Sequence, residues 1–209
     1  MPATASEPQP SPGAPLIRAD EGDLSRYGPL ALALRGRHQR GNAAVAAAVL
    51  NTLDTRGVRV PHDAVADGLT RVSWPGRLDL RRFEDGREAL LDAAHNPDGA
   101  EALAAYLRDT WPERPPLVFA AMRDKDVGGM FKALLPAVGS LVVTRALNRR
   151  SADPATLAGM ARDVAPALPI TIEPSPTAAL DAAWQQSRRI VVAGSIFLLG
   201  DVMKRAGGS

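Results

Sequence analysis

From Glu88 to Lys204 the chain alternates short, continuous apolar runs with longer segments whose apolar residues recur at helical spacing. The runs are Glu88–Asp92, Leu117–Met122, Ser140–Thr144, Ile170–Ile172 and Ile190–Ala193. Between them lie stretches such as Pro97 to Asp109, with Leu103, Tyr106 and Leu107 expected to face inward. A similar segment, capped by Asp153-Pro154, ends near Val164 and carries Leu157, Met160 and Ala161 on its inner side. Strands that are apolar at every position need cover on both faces. Alternation with helices supplies that cover in a mostly parallel sheet. The run Arg77–Phe83, followed by the turn signal Asp85-Gly86, adds one hairpin strand ahead of this alternation.

The first third of the chain reads differently. Met1–Pro15 is rich in Pro, Ser and Ala with no apolar period, so a disordered or irregular tail is expected over about residues 1–33. Gly28-Pro29 interrupts any helix there. Arg35–Leu53 is Ala-rich and reads as a helix with Val45, Val49, Leu50 and Leu53 as its apolar stripe. Gln39 and Asn42, three apart, share a face near its start. A short helix over Pro61–Leu69 follows, and Trp74-Pro75-Gly76-Arg77 is a turn that launches the next strand. The expected fold is α/β: a Rossmann-like, mostly parallel six-stranded sheet with helices on both faces, preceded by a helical segment.

Several function classes are disfavoured. The net charge is +2, the basic residues come as scattered pairs, and aromatics are only 4%, so no nucleic-acid groove is expected. Cysteine is absent, which removes disulfides and thiolate zinc sites. His38, His62 and His95 are too scattered to suggest a histidine metal site. The apolar stretch Ile190–Leu199 is too short to span a bilayer, and a cytoplasmic protein is expected. No G-x-G-x-x-G, G-x-x-x-x-G-K-[ST] or G-x-S-x-G pattern is present, so dinucleotide, P-loop and serine hydrolase chemistries lack their usual signals.

Four features at strand ends remain. In Asp92-Ala93-Ala94-His95-Asn96-Pro97, Asn96 and Pro97 are accounted for as N-cap and first helical residue. Asp92 and His95 are not, and they sit where open α/β sheets bind ligands. Arg123-Asp124-Lys125-Asp126 follows another strand, and Gly194-Ser195 follows the last one. Arg77 stands at a strand start. Each has a plain alternative: a loop carboxylate and partly exposed imidazole, a solvated charge run, a helix cap, a surface arginine. Three of the four nonetheless fall on the carboxyl rim of one sheet.

Leu34-Arg35-Gly36-Arg37-His38-Gln39-Arg40-Gly41-Asn42-Ala43, Trp74-Pro75-Gly76-Arg77-Leu78, Asp92–Pro97, Met122–Asp126 and Val192-Ala193-Gly194-Ser195 together resemble folylpolyglutamate synthases and bifunctional dihydrofolate synthases of the Mur ligase superfamily. The resemblance runs from about Leu34 to Arg205. It implies a ligase that uses ATP to phosphorylate a folate or dihydropteroate carboxylate, which the amine of L-glutamate then attacks. On the matching positions it implies that Asn42, Arg77, Asp92 and Ser195 contact ATP, and that His95 and Lys125 face the reaction cleft. Asn suits an adenine edge, Arg can fork a phosphate, and Asp92 could accept from ribose hydroxyls. On this reading Asp92→Ala weakens ATP use and leaves the fold intact.

The resemblance also implies a preceding ATPase domain with the P-loop and the magnesium ligands, which the first thirty or so residues cannot hold. Residues 34–73 would then be a helical remnant of that domain and 74–209 the C-terminal, glutamate ligase domain. Such a chain is expected to be the end of a longer enzyme and inactive alone. The alternative is a free-standing module that binds a nucleotide or glutamate without catalysis. Its N-terminal helix, deprived of the original partner surface, is expected to promote self-association; no membrane partner is expected.

Overall fold

Strand β1 (Asp79–Arg82) opens a six-stranded sheet whose other members are β2 (Glu88–Asp92), β3 (Pro116–Phe119), β4 (Ser140–Val143), β5 (Ile170–Ile172) and β6 (Arg189–Ala193). The computed structural model describes residues 21–83 and 85–206. The tail expected over Met1–Pro15 lies outside them. The spatial order is β1-β2-β6-β3-β4-β5; β1 is antiparallel to β2 and the other neighbours are parallel. Asp85-Gly86 makes the expected hairpin, with Gly86 at φ +77° and Phe83 N donating to the Arg87 carbonyl. A positive φ of this kind suits glycine.

Crossovers to the right run through α4 (Pro97–Thr110), α5 (Val127–Leu134) and α6 (Pro154–Val164), which pack on one face against Leu90, Leu117, Phe119 and Val191. The return from β5 through α7 (Pro176–Gln186) inserts β6 between β2 and β3. α7 and the closing α8 (Ile196–Ala206) therefore cover the other face, against Leu91, Val118, Ile190 and Val192. Right-handed crossovers require this change of face when the direction of winding reverses. Alternate residues of β2, β3 and β6 feed the two cores, as the strand period demands.

The helix starts carry clear caps. Asn96, Asp126, Asp153 and Ser175 each accept from a backbone N–H three residues on, and proline occupies the first helical position of α4, α6 and α7. Strands β1 and β3 are shorter than their sequence patterns suggest. β3 leaves the sheet after Phe119, and the chain beyond it pairs with the loop before α6: Met122 bridges Ser151 and Ala152 N donates to the Ala121 carbonyl.

Ahead of the sheet lie α1 (Glu21–Ser25), α2 (Arg37–Thr55) and α3 (His62–Arg71). α1 falls inside the stretch read as irregular. The stripe expected on α2 is corrected by the structure. Ala43, Ala44, Ala47 and Ala48 are buried, whereas Val45 and Val49 are 55% and 42% exposed. Small side chains let α1 and its following loop approach the α2 backbone, and Leu24, Ala43, Ala44 and Ala47 form a minor core with Tyr27, Leu32 and Leu69 at its edge. No described helix is long and apolar enough to cross a membrane.

Candidate functional site

The crevice between β2 and β6 lies where the helices after adjacent strands depart to opposite faces, the position at which open α/β sheets accept ligands. Asp92 ends β2 and Ser195 follows β6 on this rim. Because β1 runs antiparallel, its start lies on the same rim: Asp79 is paired with Leu91. The turn Trp74–Arg77 therefore sits beside Asp92. Arg77 N donates to the Trp74 carbonyl (3.3 Å), and Gly76 adopts φ +75°, the conformation that a turn with proline second and glycine third uses. Arg77 precedes β1 and does not begin it; its side chain is exposed.

Asp92 is 6% exposed, and each of its oxygens is occupied. Oδ2 accepts from Leu78 N and Oδ1 from Ala94 N, both at 2.9 Å, while Ala93 N donates to the Gly76 carbonyl. Leu78 and Ala94 have φ values of +44° and +24°, unusual for residues with a side chain. Asp92 thus clamps two strained backbone positions on either side of the rim. Burial pushes its carboxyl above the usual carboxylate range; the two backbone N–H groups and the nearby Arg77 guanidinium pull it back. A carboxylate has about four lone-pair sites, so two remain for a ligand hydroxyl. The expectation that Asp92 can be removed with the fold intact does not agree with this arrangement.

His95 is half-buried, and its Nδ1 is enclosed without a hydrogen-bond partner among the described residues. An enclosed polar atom of this kind is costly unless a ligand or water meets it. Lys125 follows β3 on the same rim, 3.6 Å from Asp124, which also binds Arg150 at 3.0 Å. That contact holds the Asp124 carboxyl below its ordinary range. A Cβ on Gly129 would lie 2.8 Å from Pro97 Cγ, so the first turns of α4 and α5 abut. His95 and the Lys125 loop therefore approach one another through these two helix starts. Ser195 is buried, and its hydroxyl accepts from Phe197 N at 3.1 Å, the capping role weighed as its plain alternative.

Asn42 projects from the first turns of α2, and its Nδ2 donates to Gln39 Oε1 (3.1 Å). Gln39 is 7% exposed and its Nε2 lies 3.0 Å from His38 Nε2. Gln39, Asn42, Leu69 and Trp74 line a cavity of about 230 Å³. A second cavity of similar size, lined by Arg35, Arg77 and Leu78, shares Leu34, Val72 and Trp74 with it. The two cavities share that wall, with Asn42 lining the first and Arg77 the second.

Sequence reasoning passed over three features. Trp74, read only as turn punctuation, is 61% exposed and walls the cleft; an aromatic at a turn was the available signal. In the sequence Gln39 is marked only by its spacing from Asn42. Thr144, just past the carboxyl end of β4, is fully buried and its Oγ1 has no hydrogen-bond partner among the described residues; nothing local in the sequence marks it. A cavity of about 750 Å³ lies at the amino ends of the strands, away from every expected site residue. Its guanidinium groups already have protein partners: Arg114 the Pro136 carbonyl, Arg188 the Asp85 carbonyl, and Arg189 the Glu88 carboxylate and the Trp111 ring. Among the described residues no three His, Asp or Glu side chains converge on one point.

Residues 76–196 match the family model for the Mur ligase, glutamate ligase domain. The chain belongs to that family. The dihydrofolate synthase/folylpolyglutamate synthase of Mycobacterium tuberculosis is 38% identical over 135 residues, which cover 63% of this chain and 27% of that one. The corresponding Bacillus subtilis enzyme is 29% identical over 187 residues, 86% of this chain and 41% of that one. Among solved structures, Mycobacterium tuberculosis folylpolyglutamate synthase complexed with ADP superimposes with a TM-score of 0.76 at 30% identity, covering 88% of this chain and 43% of that one. Folylpolyglutamate synthase from Thermotoga maritima gives 0.65 at 31% identity, covering 84% and 40%. The chain thus spans less than half the length of these relatives and corresponds to their C-terminal part. The six-stranded α/β sheet expected from the sequence agrees with these neighbours.

Proposed function

We propose that this chain is the C-terminal domain of an ATP-dependent ligase that joins L-glutamate to folate or dihydropteroate, and that it supplies one wall of the nucleotide cleft. The observation that carries this reading is that Asn42 and Arg77 line two cavities sharing Leu34, Val72 and Trp74, with Asp92 holding the backbone of Leu78 in the wall of the second. The ADP held by the Mycobacterium tuberculosis relative supports it. Asn42 would meet the base, Arg77 a phosphate and Asp92 the ribose, with Ser195 closing the rim behind them. His95, through its unpartnered Nδ1, and Lys125 would face the phosphate and the incoming glutamate.

In the reaction so assigned, a carboxylate oxygen of the pterin substrate attacks the γ-phosphorus of ATP and ADP leaves. The glutamate amine, having lost its proton, then attacks the acyl carbon and phosphate departs as the amide forms. Phosphoryl transfer depends on positioning and on neutralising charge. The sequence has no P-loop, so this chain alone is proposed to bind without turning over. Magnesium would be held by residues beyond this chain. A free-standing binding module remains the second reading, favoured by the intact cleft. Val45 and Val49 on the outer side of α2 are proposed as the contact through which the chain self-associates.

Calorimetry with ADP tests the central claim. Binding is expected, and Arg77→Ala should weaken it about tenfold or more, the worth of a charge-assisted phosphate contact. The urea midpoint should not move, because Arg77 is exposed. No heat at millimolar ADP would remove the nucleotide assignment.

A further inference from the structure

Gln39 is a buried polar side chain whose side-chain hydrogen bonds, among the described residues, run to His38 and Asn42 of its own helix. Burying an amide is costly unless both ends are satisfied, and here both are. Nε2 faces His38 Nε2 at 3.0 Å, and Oε1 accepts from Asn42 Nδ2 at 3.1 Å. His38 is itself held in place: a Cβ on Gly36 would lie 2.7 Å from its Cε1 and 2.8 Å from Leu78 Cδ1, so the ring rests on the Gly36 backbone beside Leu78. Leu78 is in turn fixed by Asp92. A three-residue relay therefore runs from the rim to the mouth of the cleft, with Asn42 as its exposed end.

We infer that this relay fixes the direction of the Asn42 amide and thereby makes the cleft select an adenine edge over a guanine edge. The inference rests on the reading of the cleft as a nucleotide site. Gln39 is a positioning residue in it, because it acts on the base only through Asn42.

The chemistry is directional. Gln39 presents its NH2 to His38 Nε2, a contact that requires this ring nitrogen to be the acceptor. Gln39 Oε1 is then turned to Asn42, which can answer only with Nδ2. Asn42 is left with its Oδ1 and one N–H for a ligand. Adenine offers an amino donor next to a ring-nitrogen acceptor, which this pair matches. Guanine places a carbonyl oxygen where adenine has its amino group, and would set oxygen against oxygen. Were Gln39 apolar, the Asn42 amide could rotate and serve either base.

The test is binding of AMPPNP and of its guanine counterpart to the 209-residue chain, in wild type, Gln39→Met and Gln39→Glu. Met keeps the volume and removes both hydrogen bonds. Glu keeps only acceptors, so Asn42 must still donate to it. Wild type should prefer the adenine nucleotide. Gln39→Met should lower that preference roughly tenfold, as expected when a site built for one hydrogen-bond pattern loses its orientation. Gln39→Glu should retain it. A packing role would give the opposite order, since Met fills the space without a buried charge. Nitrogen-15 spectra should show the Asn42 side-chain amide shifted in Gln39→Met before any ligand is added.

A preference unchanged in Gln39→Met overturns the relay and leaves the nucleotide reading standing. Equal wild-type binding of the two nucleotides does the same. If Gln39→Met fails to fold, loss of preference in folded Gln39→Glu overturns the relay. Absence of binding by the wild type to either nucleotide removes both the reading and the relay.

Discussion

Replacing Asp92 by alanine should destabilise the chain as well as weaken nucleotide binding. Its two oxygens satisfy the buried N–H groups of Leu78 and Ala94. Leaving a buried donor unpaired costs about 1–3 kcal/mol, so two together amount to roughly 2–6 kcal/mol. Removing a buried carboxylate recovers part of this, because burial already disfavours its charge. A net loss of about 2–4 kcal/mol is expected, a large share of the roughly 5–15 kcal/mol that holds a domain folded. In urea the midpoint should fall by about 1–2 M with little change in slope. Asp92→Asn keeps one acceptor but turns an NH2 toward the other backbone N–H, and should lie between wild type and alanine. A midpoint for Asp92→Ala within about 0.3 M of wild type would show that the clamp carries no weight. Asp92 would then be a ligand group alone.

The same residue sets a pH dependence of definite sign. Its folded pKa is raised, so between its unfolded and folded values the folded state binds the extra proton. Stability from this group therefore falls as pH rises through that window and is recovered on acidification toward the ordinary carboxylate range. The stability difference between wild type and Asp92→Asn should move in wild type's favour as pH drops; a flat difference contradicts it. Gly194→Ala places a Cβ 2.5 Å from the Ala120 carbonyl and 2.5 Å from Phe119 at φ +101°. A loss of about 2–5 kcal/mol, or roughly 5–15 °C in Tm, is expected by thermal melting. Sedimentation should show concentration-dependent self-association that Val45→Glu with Val49→Glu abolishes, and a wild type that is monomeric at every concentration refutes it.

Local chemistry decided much of what the chain becomes. Asn96-Pro97 and Asp153-Pro154 start helices because a side-chain acceptor and a missing N–H suit those positions in any context. Runs such as Leu117–Phe119 and Ile190–Val192 demand cover on both faces wherever they pair. Spacing and motif order were enough to resemble a ligase family and to pick out Asn42, Arg77, Asp92, His95, Lys125 and Ser195 as candidates. What they could not contain was who lies beside whom. Insertion of β6 between β2 and β3, and the antiparallel pairing that brings Arg77 to Asp92, depend on contacts between residues far apart in the chain. The outward turn of Val45 and Val49 depends on α1 and the loop after it preferring the alanine face. Apolar periodicity records that a face is buried but not which neighbour buries it. Likewise the sequence shows a carboxylate at position 92, and only the tertiary structure turns it into a clamp on Leu78 and Ala94.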